Sequence, residues 1–456
     1  MRCRSLALAT ALSVAAMPAF ATEAIAQTAG PEIFGVPLDF ILFSLTLIGV
    51  AVFHHYVLAV ALSGLTAIVL YKLAFTGFKF GPGLAGLAAH MQHEWVILVN
   101  LLCLLVGFAI LARHFEDSRV PEALPRILPR DWKGGFVLLV LIFVLSGFLD
   151  NIAAALIGAT LAGSIYRQRV HIGYLAAIVA ASNAGGAGSV VGDTTTTMMW
   201  LDGVSPLAVL PAYLPAFAAL LVFGVPAALQ QHRHCPLHVP AGHRERIDWA
   251  RIFIVALILA AAIATNVTVN LRFRHLADGF PFIGVAVWVA ILVCVPLRKP
   301  HWKLVPDAFK GSIFLLVLVT CASLMPVEKL PAASWPTSFA LGFLSSIFDN
   351  IPLTALALKQ GGYDWAMLAY AVGFGGSMMW FGSSAGVAVS NIFPQAKSVW
   401  QWVRHGWHVA LGYVVGFIVM IVVLGWNPQE RARPPVQGPV SGVAEAVGHF
   451  ERGTAR

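Results

Sequence analysis

The chain has 456 residues, of which 59% are hydrophobic and only 11% charged, and its mean hydropathy is +0.80. No class of soluble globular protein has that balance, and many apolar runs reach the roughly 20 residues that one helix needs to cross a bilayer. The net charge of +8 comes from residues in the loops between apolar runs, so it indicates membrane topology and no nucleic-acid partner. The composition predicts a polytopic protein whose main partner is the lipid bilayer.

The first element is a predicted signal peptide over residues 1–21. Arg2 and Arg4 form a basic start, an apolar stretch follows over 6–16, and Ala19-Phe20-Ala21 is an A-x-A cleavage site. The alternative is an uncleaved first helix. Cleavage predicts a multi-pass protein of a bacterial inner membrane, with its mature N-terminus in the periplasm.

Residues 22–426 are predicted to form one transmembrane transporter domain, and residues 427–456 a polar, disordered tail. We place the first of two repeats at about 94–229 and the second at about 281–426. The apolar runs are 38–53, 56–75, 94–112, 136–166, 172–200, 205–229, 251–267, 281–297, 311–325, 337–358, 365–393 and 407–426.

Some of these runs do not suit a single crossing helix. The runs 136–166 and 172–200 are longer than one helix needs, and 365–393 is long and interrupted by glycines. We expect 136–166 and 337–358 to be re-entrant hairpins that enter from opposite faces. Most basic loop residues then fall on the inner side, as the positive-inside rule requires, and the two halves have inverted topologies.

The repeat is also visible in the residues themselves. Each predicted hairpin carries Asp-Asn, and each is followed by a glycine-rich stretch that is rich in hydroxyl groups. Irregular backbone at bilayer depth is tolerated where it lines a cavity, so these stretches predict two broken helices around a site. The matching positions are Asp150-Asn151 with Asp349-Asn350, Gly185-Gly186 with Gly375-Gly376, and Asp193 with Ser383.

Three carboxylates, Asp150, Asp193 and Asp349, are predicted to lie well inside the bilayer. A charge at that depth is costly and is by default a functional hypothesis. Hard oxygen ligands suit a small cation such as Na⁺ or Li⁺, and a carboxylate that holds either the cation or a proton couples the two. The predicted oxygen ligands beside the three aspartates are Asn151, Asn183, Thr194, Thr195, Asn350, Ser383 and Ser384.

Structural alternatives stay open for these residues. Each Asp could simply cap a half-helix, and Thr194 to Thr197 could do so beside Asp193. A separate loop with His232, His234, Cys235, His238 and His243 could bind a metal, although its spacing fits no zinc pattern and favours a solvated loop.

These motifs resemble those of the NhaD-type Na⁺/H⁺ antiporters. The resemblance rests on Phe148 to Ile152, Ser182 to Gly186, Val191 to Thr196, Asp349 to Pro352, Gly375 to Ser377 and Gly382 to Val387. It covers roughly residues 93–426 and implies membership of the ion transporter superfamily, which also contains citrate transporter-like proteins and arsenite permeases. The implied fold is all-α, with inverted repeats, two re-entrant hairpins, two broken transmembrane helices, a dimeric scaffold and elevator-like movement.

The sequence therefore predicts a secondary transporter that exchanges Na⁺ or Li⁺ for protons. The alternative is a Na⁺- or proton-coupled carrier of citrate, a dicarboxylate or another anion, which two acidic hairpin tips would repel. No nucleotide-binding loop, nucleophile triad or haem motif occurs in the sequence, so we expect neither an enzyme nor a cofactor.

Overall fold

The structure is a computed structural model, and it describes residues 30–53, 56–123, 128–238, 246–273, 276–277 and 279–429. The predicted signal peptide and residues 430–456 of the predicted tail lie outside the described residues. The described chain is helical apart from one short antiparallel strand pair, β1 (Glu32–Ile33) and β2 (Val36–Pro37). The helical expectation is confirmed.

Eighteen α-helices follow β2 in the described residues. Three-residue to six-residue 3₁₀ and π turns connect or extend several of them. The helices are α1 Leu38–Val52, α2 Val57–Tyr71, α3 Gly83–Asp117, α4 Val120–Ala123, α5 Trp132–Ser146, α6 Asn151–Ile165, α7 Ile172–Gly186, α8 Thr194–Leu201, α9 Pro206–Val209, α10 Tyr213–His234, α11 Trp249–Arg272, α12 Phe282–Cys294, α13 Val305–Ser323, α14 Trp335–Ile347, α15 Asn350–Gln360, α16 Trp365–Leu368, α17 Ser384–Ile392 and α18 Val399–Leu424.

Six stretches of described helix are long and apolar enough to cross a membrane. A helix rises 1.5 Å per residue, so each of them covers the roughly 30 Å of a hydrocarbon core. They are Val57–Thr76, Gly83–Asp117, Pro206–His234, Trp249–Val269, Trp302–Ser323 and Val399–Leu424. The chain is thus built as a membrane protein with several crossing helices.

The helix α3 is longer than the apolar run 94–112 predicted, because it begins at Gly83 and has 35 residues. The first turns of α3 carry polar side chains that form hydrogen bonds or ion pairs with neighbouring helices. His90 Nε2 lies 2.9 Å from Ser323 Oγ of α13, and Glu94 forms an ion pair with Lys359 of α15. Paired polar groups can be buried in a helix, so hydropathy alone underestimated its length.

The four runs that carry the predicted site are each interrupted. The run 136–166 splits into α5 and α6, and 337–358 into α14 and α15. The run 172–200 splits into α7 and α8 across residues 187–193, and in 365–393 a π turn (Ala369–Phe374) and a 3₁₀ turn (Gly376–Met378) precede α17. All four interruptions contain or adjoin the predicted site residues.

The helix α7 lies at the centre of the fold, and all 15 of its residues are buried. It packs against α5, α6, α10 and α18, while α3 packs against α11, α12 and α13. Interrupted segments of one half contact those of the other half, since α6 contacts α17 and α15 contacts α8. These contacts bring the four interruptions together.

Candidate cation-binding site

All three predicted aspartates are helix N-caps. The carboxylates of Asp150, Asp193 and Asp349 accept hydrogen bonds from the backbone N–H groups two residues ahead, at 3.2, 3.0 and 3.1 Å. They begin α6, α8 and α15, and Ser383 begins α17 in the same way, accepting from Gly386 N at 3.3 Å. Capping occupies one oxygen of each carboxylate, so a second oxygen of each is left for other partners.

Amide side chains link the segments of the two halves. Asn151 Nδ2 donates to Asn183 Oδ1 at 3.1 Å, and Asn183 Nδ2 donates to Ser383 Oγ at 3.1 Å. Asn350 Nδ2 lies 3.4 Å from Asp193 Oδ1, to which it donates. These five residues are all buried, so their hydrogen bonds replace those that water would make.

The other two carboxylates lie at half-buried positions beside hydroxyl groups. Ser384 Oγ donates to Asp349 Oδ2 at 3.1 Å, and the Thr194 hydroxyl interacts with the carboxylate of Asp150. Asp193 lies within electrostatic range of both of these aspartates. The structure thus brings all ten predicted residues into one network: Asp150, Asn151, Asn183, Asp193, Thr194, Thr195, Asp349, Asn350, Ser383 and Ser384.

Two oxygen atoms at the centre of this network have no hydrogen-bond partner. They are Asp193 Oδ2 and Thr195 Oγ1, and both atoms are buried. Both atoms face Gly373, where a Cβ would be 2.9 Å from Asp193 Oδ2 and 3.7 Å from Thr195 Oγ1. Buried acceptors without a partner are rare in proteins and mark a position that a proton or a cation can stabilise.

The four consecutive threonines do different things. Thr196 Oγ1 donates to Ser189 O and Asp193 O, at 2.5 and 2.9 Å. Thr197 Oγ1 donates to Val190 O and Asp193 O, both at 2.9 Å. These two hydroxyls hold the irregular backbone before α8 and are therefore occupied, whereas Thr194 and Thr195 face the carboxylates.

The sequence prediction missed two residues of the network. Ser377 Oγ accepts a hydrogen bond from Asn183 Nδ2 at 3.0 Å, and Gly373 packs so closely against Asp193 that a Cβ there would lie 2.9 Å from Oδ2. Ser377 follows the glycine pair Gly375-Gly376 directly, and this adjacency is the signal that could have identified it. No sequence signal distinguishes Gly373 from a glycine that serves helix packing.

Several contacts recur in the two halves of the chain. Ser146 Oγ donates to Ser182 O at 2.5 Å, and Ser345 Oγ donates to Val372 O at 2.7 Å. A Cβ at Gly185 would lie 2.0 Å from Phe143 O, and one at Gly375 would lie 2.3 Å from Gly342 O. In the first half, a serine hydroxyl and a glycine thus hold α5 close to α7. In the second half, the matching serine and glycine hold α14 close to the interrupted run 365–393.

The electrostatics of the network favour a cation. Within the described residues, none of its three carboxylates forms a salt bridge with a lysine, arginine or histidine. No group of three histidine, cysteine or acidic side chains suited to a metal ion occurs there either. Carboxylate, hydroxyl and amide oxygens are hard ligands, so the network suits an alkali cation better than a transition metal.

The histidine-rich segment forms no metal site within the described residues, and it is not wholly a loop, because His232 and His234 lie in the last turn of α10. Cys235 is buried, and its Sγ lies 3.5 Å from Tyr166 O, to which it donates. The ring of His234 contacts that of His171, with centroids 5.4 Å apart. His243 lies outside the described residues.

Proteins named as sodium/proton antiporters are similar to this chain. It is 27% identical over 380 residues to "Sodium/proton antiporter 1" of Arabidopsis thaliana, a match that covers 73% of this chain and 63% of that protein. It is 26% identical over 394 residues to "Na(+)/H(+) antiporter NhaD" of Vibrio cholerae, covering 73% and 80% of the two chains. No family model matches the chain.

A further relative covers more of its own length. The NhaD protein of Vibrio parahaemolyticus is 26% identical over 386 residues, which are 71% of this chain and 90% of that protein. The chain spans less than two thirds of the Arabidopsis protein. These relatives are therefore named as Na⁺/H⁺ antiporters and are 26–27% identical to this chain.

Proposed function

We propose that this protein is a secondary transporter that exchanges Na⁺, or Li⁺, for protons across a bacterial inner membrane. The observation that carries the proposal is the buried, unpartnered Oδ2 of Asp193, within electrostatic range of two further carboxylates. Similarity to proteins named as Na⁺/H⁺ antiporters supports the same activity. The transport needs no resident cofactor and no covalent chemistry.

Coupling follows from competition for one oxygen. A carboxylate that binds Na⁺ must be ionised, so binding of the cation releases a proton and binding of a proton releases the cation. Three like charges in one network also repel one another, and binding of either Na⁺ or a proton relieves that repulsion. An anion such as citrate would meet the same three carboxylates unfavourably, so we do not adopt the anion-carrier alternative.

The helix lengths support two re-entrant hairpins. The helices α5 and α6 have 15 residues each, about 22 Å, and α14 and α15 have 13 and 11. These lengths fall short of the roughly 30 Å of a hydrocarbon core. We therefore assign each pair as a hairpin whose tip, at Asp150 or Asp349, ends near the midplane.

Alternating access is then movement of the network against a fixed scaffold. The interrupted segments and α7 would carry the ions, while α3 and the helices around it would form the scaffold and the interface of a homodimer. The contacts that recur in the two halves support inverted repeats, in which the two hairpins enter from opposite faces. Such an elevator exposes the cation and the proton to one side at a time.

Purified protein in proteoliposomes tests the proposal. An inward Na⁺ or Li⁺ gradient should drive proton movement, read by a pH-sensitive dye, and Asp193→Asn and Asp150→Asn should abolish it. The matched control is Asp307→Asn, because the Asp307 side chain is 84% exposed and lies outside the network. Vigorous exchange in Asp193→Asn would contradict the site, and Na⁺-dependent uptake of labelled citrate would favour the anion carrier.

A further inference from the structure

A polar cavity lies at the opposite end of α7 from the ten-residue network. Asn183 of the network is in the last turn of α7, whereas the cavity is lined by His171 and Ile172 at its first turn. The connection between α6 and α7, the last turn of α10 and the segment that leads into α18 meet there. The cavity has a volume of about 430 Å³, which is within the range of ligand pockets.

The side chains that line this cavity suit an anion. Of the nine described residues around it, seven carry side-chain N–H groups and none is acidic. They include Arg169, three glutamines and the histidines His171, His234 and His405. The His171 ring lies 4.9 Å from that of His405 and 5.4 Å from that of His234, between centroids. An arginine and N–H donors that converge without a carboxylate are best satisfied by phosphate oxygens.

The connection between α6 and α7 is held in the conformation that forms the cavity. Arg167 and Gln168 have φ values of 51° and 61°, a region that residues with a side chain rarely adopt. Gln231 of α10 is fully buried and holds this loop, because its Oε1 accepts from His171 N at 2.7 Å and its Nε2 donates to Arg169 O at 3.1 Å. The donors are therefore positioned before a ligand arrives.

The cavity lies at the level of a membrane surface. The crossing helix α10 ends at His234 and the crossing helix α18 begins at Val399, so one end of each helix reaches the cavity. On α18, Trp400 and Trp407 lie on either side of His405 in the sequence and are 72% and 52% exposed. Exposed tryptophans near helix ends are typical of the interface where lipid headgroups lie.

We propose that this cavity binds the phosphate group of an anionic lipid headgroup, with Arg169 and the three histidines donating to its oxygens. In the proposed topology the loops that form the cavity face the cytoplasm, where the leaflet surface is negative. None of the ten residues of the network lines the cavity, so the site is separate from that of the transported ions.

Lipid binding to the purified, delipidated full chain tests this inference. Phosphatidylglycerol should raise the melting temperature and stay bound in native mass spectrometry, whereas zwitterionic phosphatidylcholine at the same concentration should do neither. Arg169→Ala combined with His234→Ala should weaken phosphatidylglycerol binding about tenfold or more. Both side chains are exposed, so the double variant should fold. The matched control is Lys303→Ala, an exposed cation that does not line the cavity, and it should bind as wild type does.

The outcomes separate the source of the phosphate group from the site itself. Equal binding of both lipids by wild type, or unchanged phosphatidylglycerol binding by the folded double variant, would overturn the inference. Stabilisation by inorganic phosphate without binding of phosphatidylglycerol would overturn the lipid assignment in favour of a soluble anion. If the double variant does not fold, unchanged binding in Arg169→Ala alone overturns the inference instead. No ion gradient enters these measurements, so failure of Na⁺/H⁺ exchange would leave the inference standing.

Discussion

At the scale of residues, one side chain can serve both as a helix cap and as an ion ligand. Asp193 uses Oδ1 to accept from Thr195 N at 3.0 Å, and its Oδ2 has no hydrogen-bond partner. The capping interpretation and the binding interpretation of the sequence are therefore compatible. A cap also holds the carboxylate at the positive end of a helix, which stabilises the ionised form that a cation requires.

The adjacent Thr195 and Thr196 give a matched pair of variants at this scale. Thr195→Ala removes an unpartnered hydroxyl, so it should weaken ²²Na⁺ binding about tenfold with little change in thermal stability. Thr196→Ala removes the hydrogen bonds to Ser189 O and Asp193 O and should destabilise the protein by about 1 kcal/mol per bond. Binding isotherms and melting curves measure the two effects, and a lower melting temperature in Thr195→Ala with intact binding would reverse the assignment.

At the scale of elements, close approach between backbones positions the site. A Cβ at Gly185 would lie 2.0 Å from Phe143 O of α5, and Ser146 Oγ of the same helix donates to Ser182 O of α7. Small residues allow helices to pack this closely inside a membrane. The irregular residues 187–193 therefore begin next to the C-terminal end of α5. The first residues of the network follow this end of α5 in the chain.

Gly185→Ala should therefore displace α7 from α5. The added methyl group would overlap the Phe143 carbonyl, and we expect a loss of about 1–3 kcal/mol in stability together with lost Na⁺ binding. Gly311→Ala is the matched control, because Gly311 is exposed in α13 with no atom within 4 Å of the added Cβ. Thermal melting of both variants decides the point, and equal melting temperatures would contradict the packing argument.

Across the whole molecule, the ion pairs around α3 form two groups, one towards each end of this helix. Near its start, Glu94 pairs with Lys359, and Lys72 pairs with Asp39 at 3.2 Å. Near its end, Asp117 contacts Arg113 and Arg251, both at 3.2 Å. Asp117 follows Glu94 by 23 residues of α3, a rise of roughly 35 Å, which is enough to cover the roughly 30 Å of a hydrocarbon core.

The second group of charges continues into the loops beyond α3. Arg298 Nε donates to Asp248 Oδ2 at 2.8 Å, and this guanidinium holds the pKa of the Asp248 carboxyl below its usual range. The loops at this end carry the basic residues that the positive-inside rule places in the cytoplasm. The separation supports the proposed orientation, with the end of α3 inside and its start outside.

Cysteine labelling tests that orientation. With the five native cysteines replaced by serine, Lys329→Cys should react with a membrane-impermeant maleimide in intact spheroplasts. Arg167→Cys, in the loop between α6 and α7, should react only after permeabilisation. Labelling of both variants in intact spheroplasts would contradict the re-entrant assignment of α5 and α6, and the reverse pattern would invert the whole topology.

The helical class and the interrupted runs could be predicted from the sequence alone, and the ten candidate residues that it selects lie together in the structure. Hydropathy and rare polar residues within apolar runs carry that information locally, because each buried charge has a cost that only function or pairing offsets. Asp150-Asn151 and Asp349-Asn350 were recognisable for this reason. The length of α3 was not, since its polar first turns are stabilised by partners on α13 and α15.

The contacts that distinguish the ten residues from one another form only when the helices pack. Asn183 and Ser383 are 200 positions apart, yet they share a hydrogen bond. Likewise, nothing local shows that Gly373 faces Asp193 or that the Thr195 hydroxyl has no partner while those of Thr196 and Thr197 are occupied. Whether an oxygen is satisfied depends on atoms that long-range packing brings to it. Composition and spacing could therefore select the candidate residues, but only the packed helices show which of their oxygens have no hydrogen-bond partner.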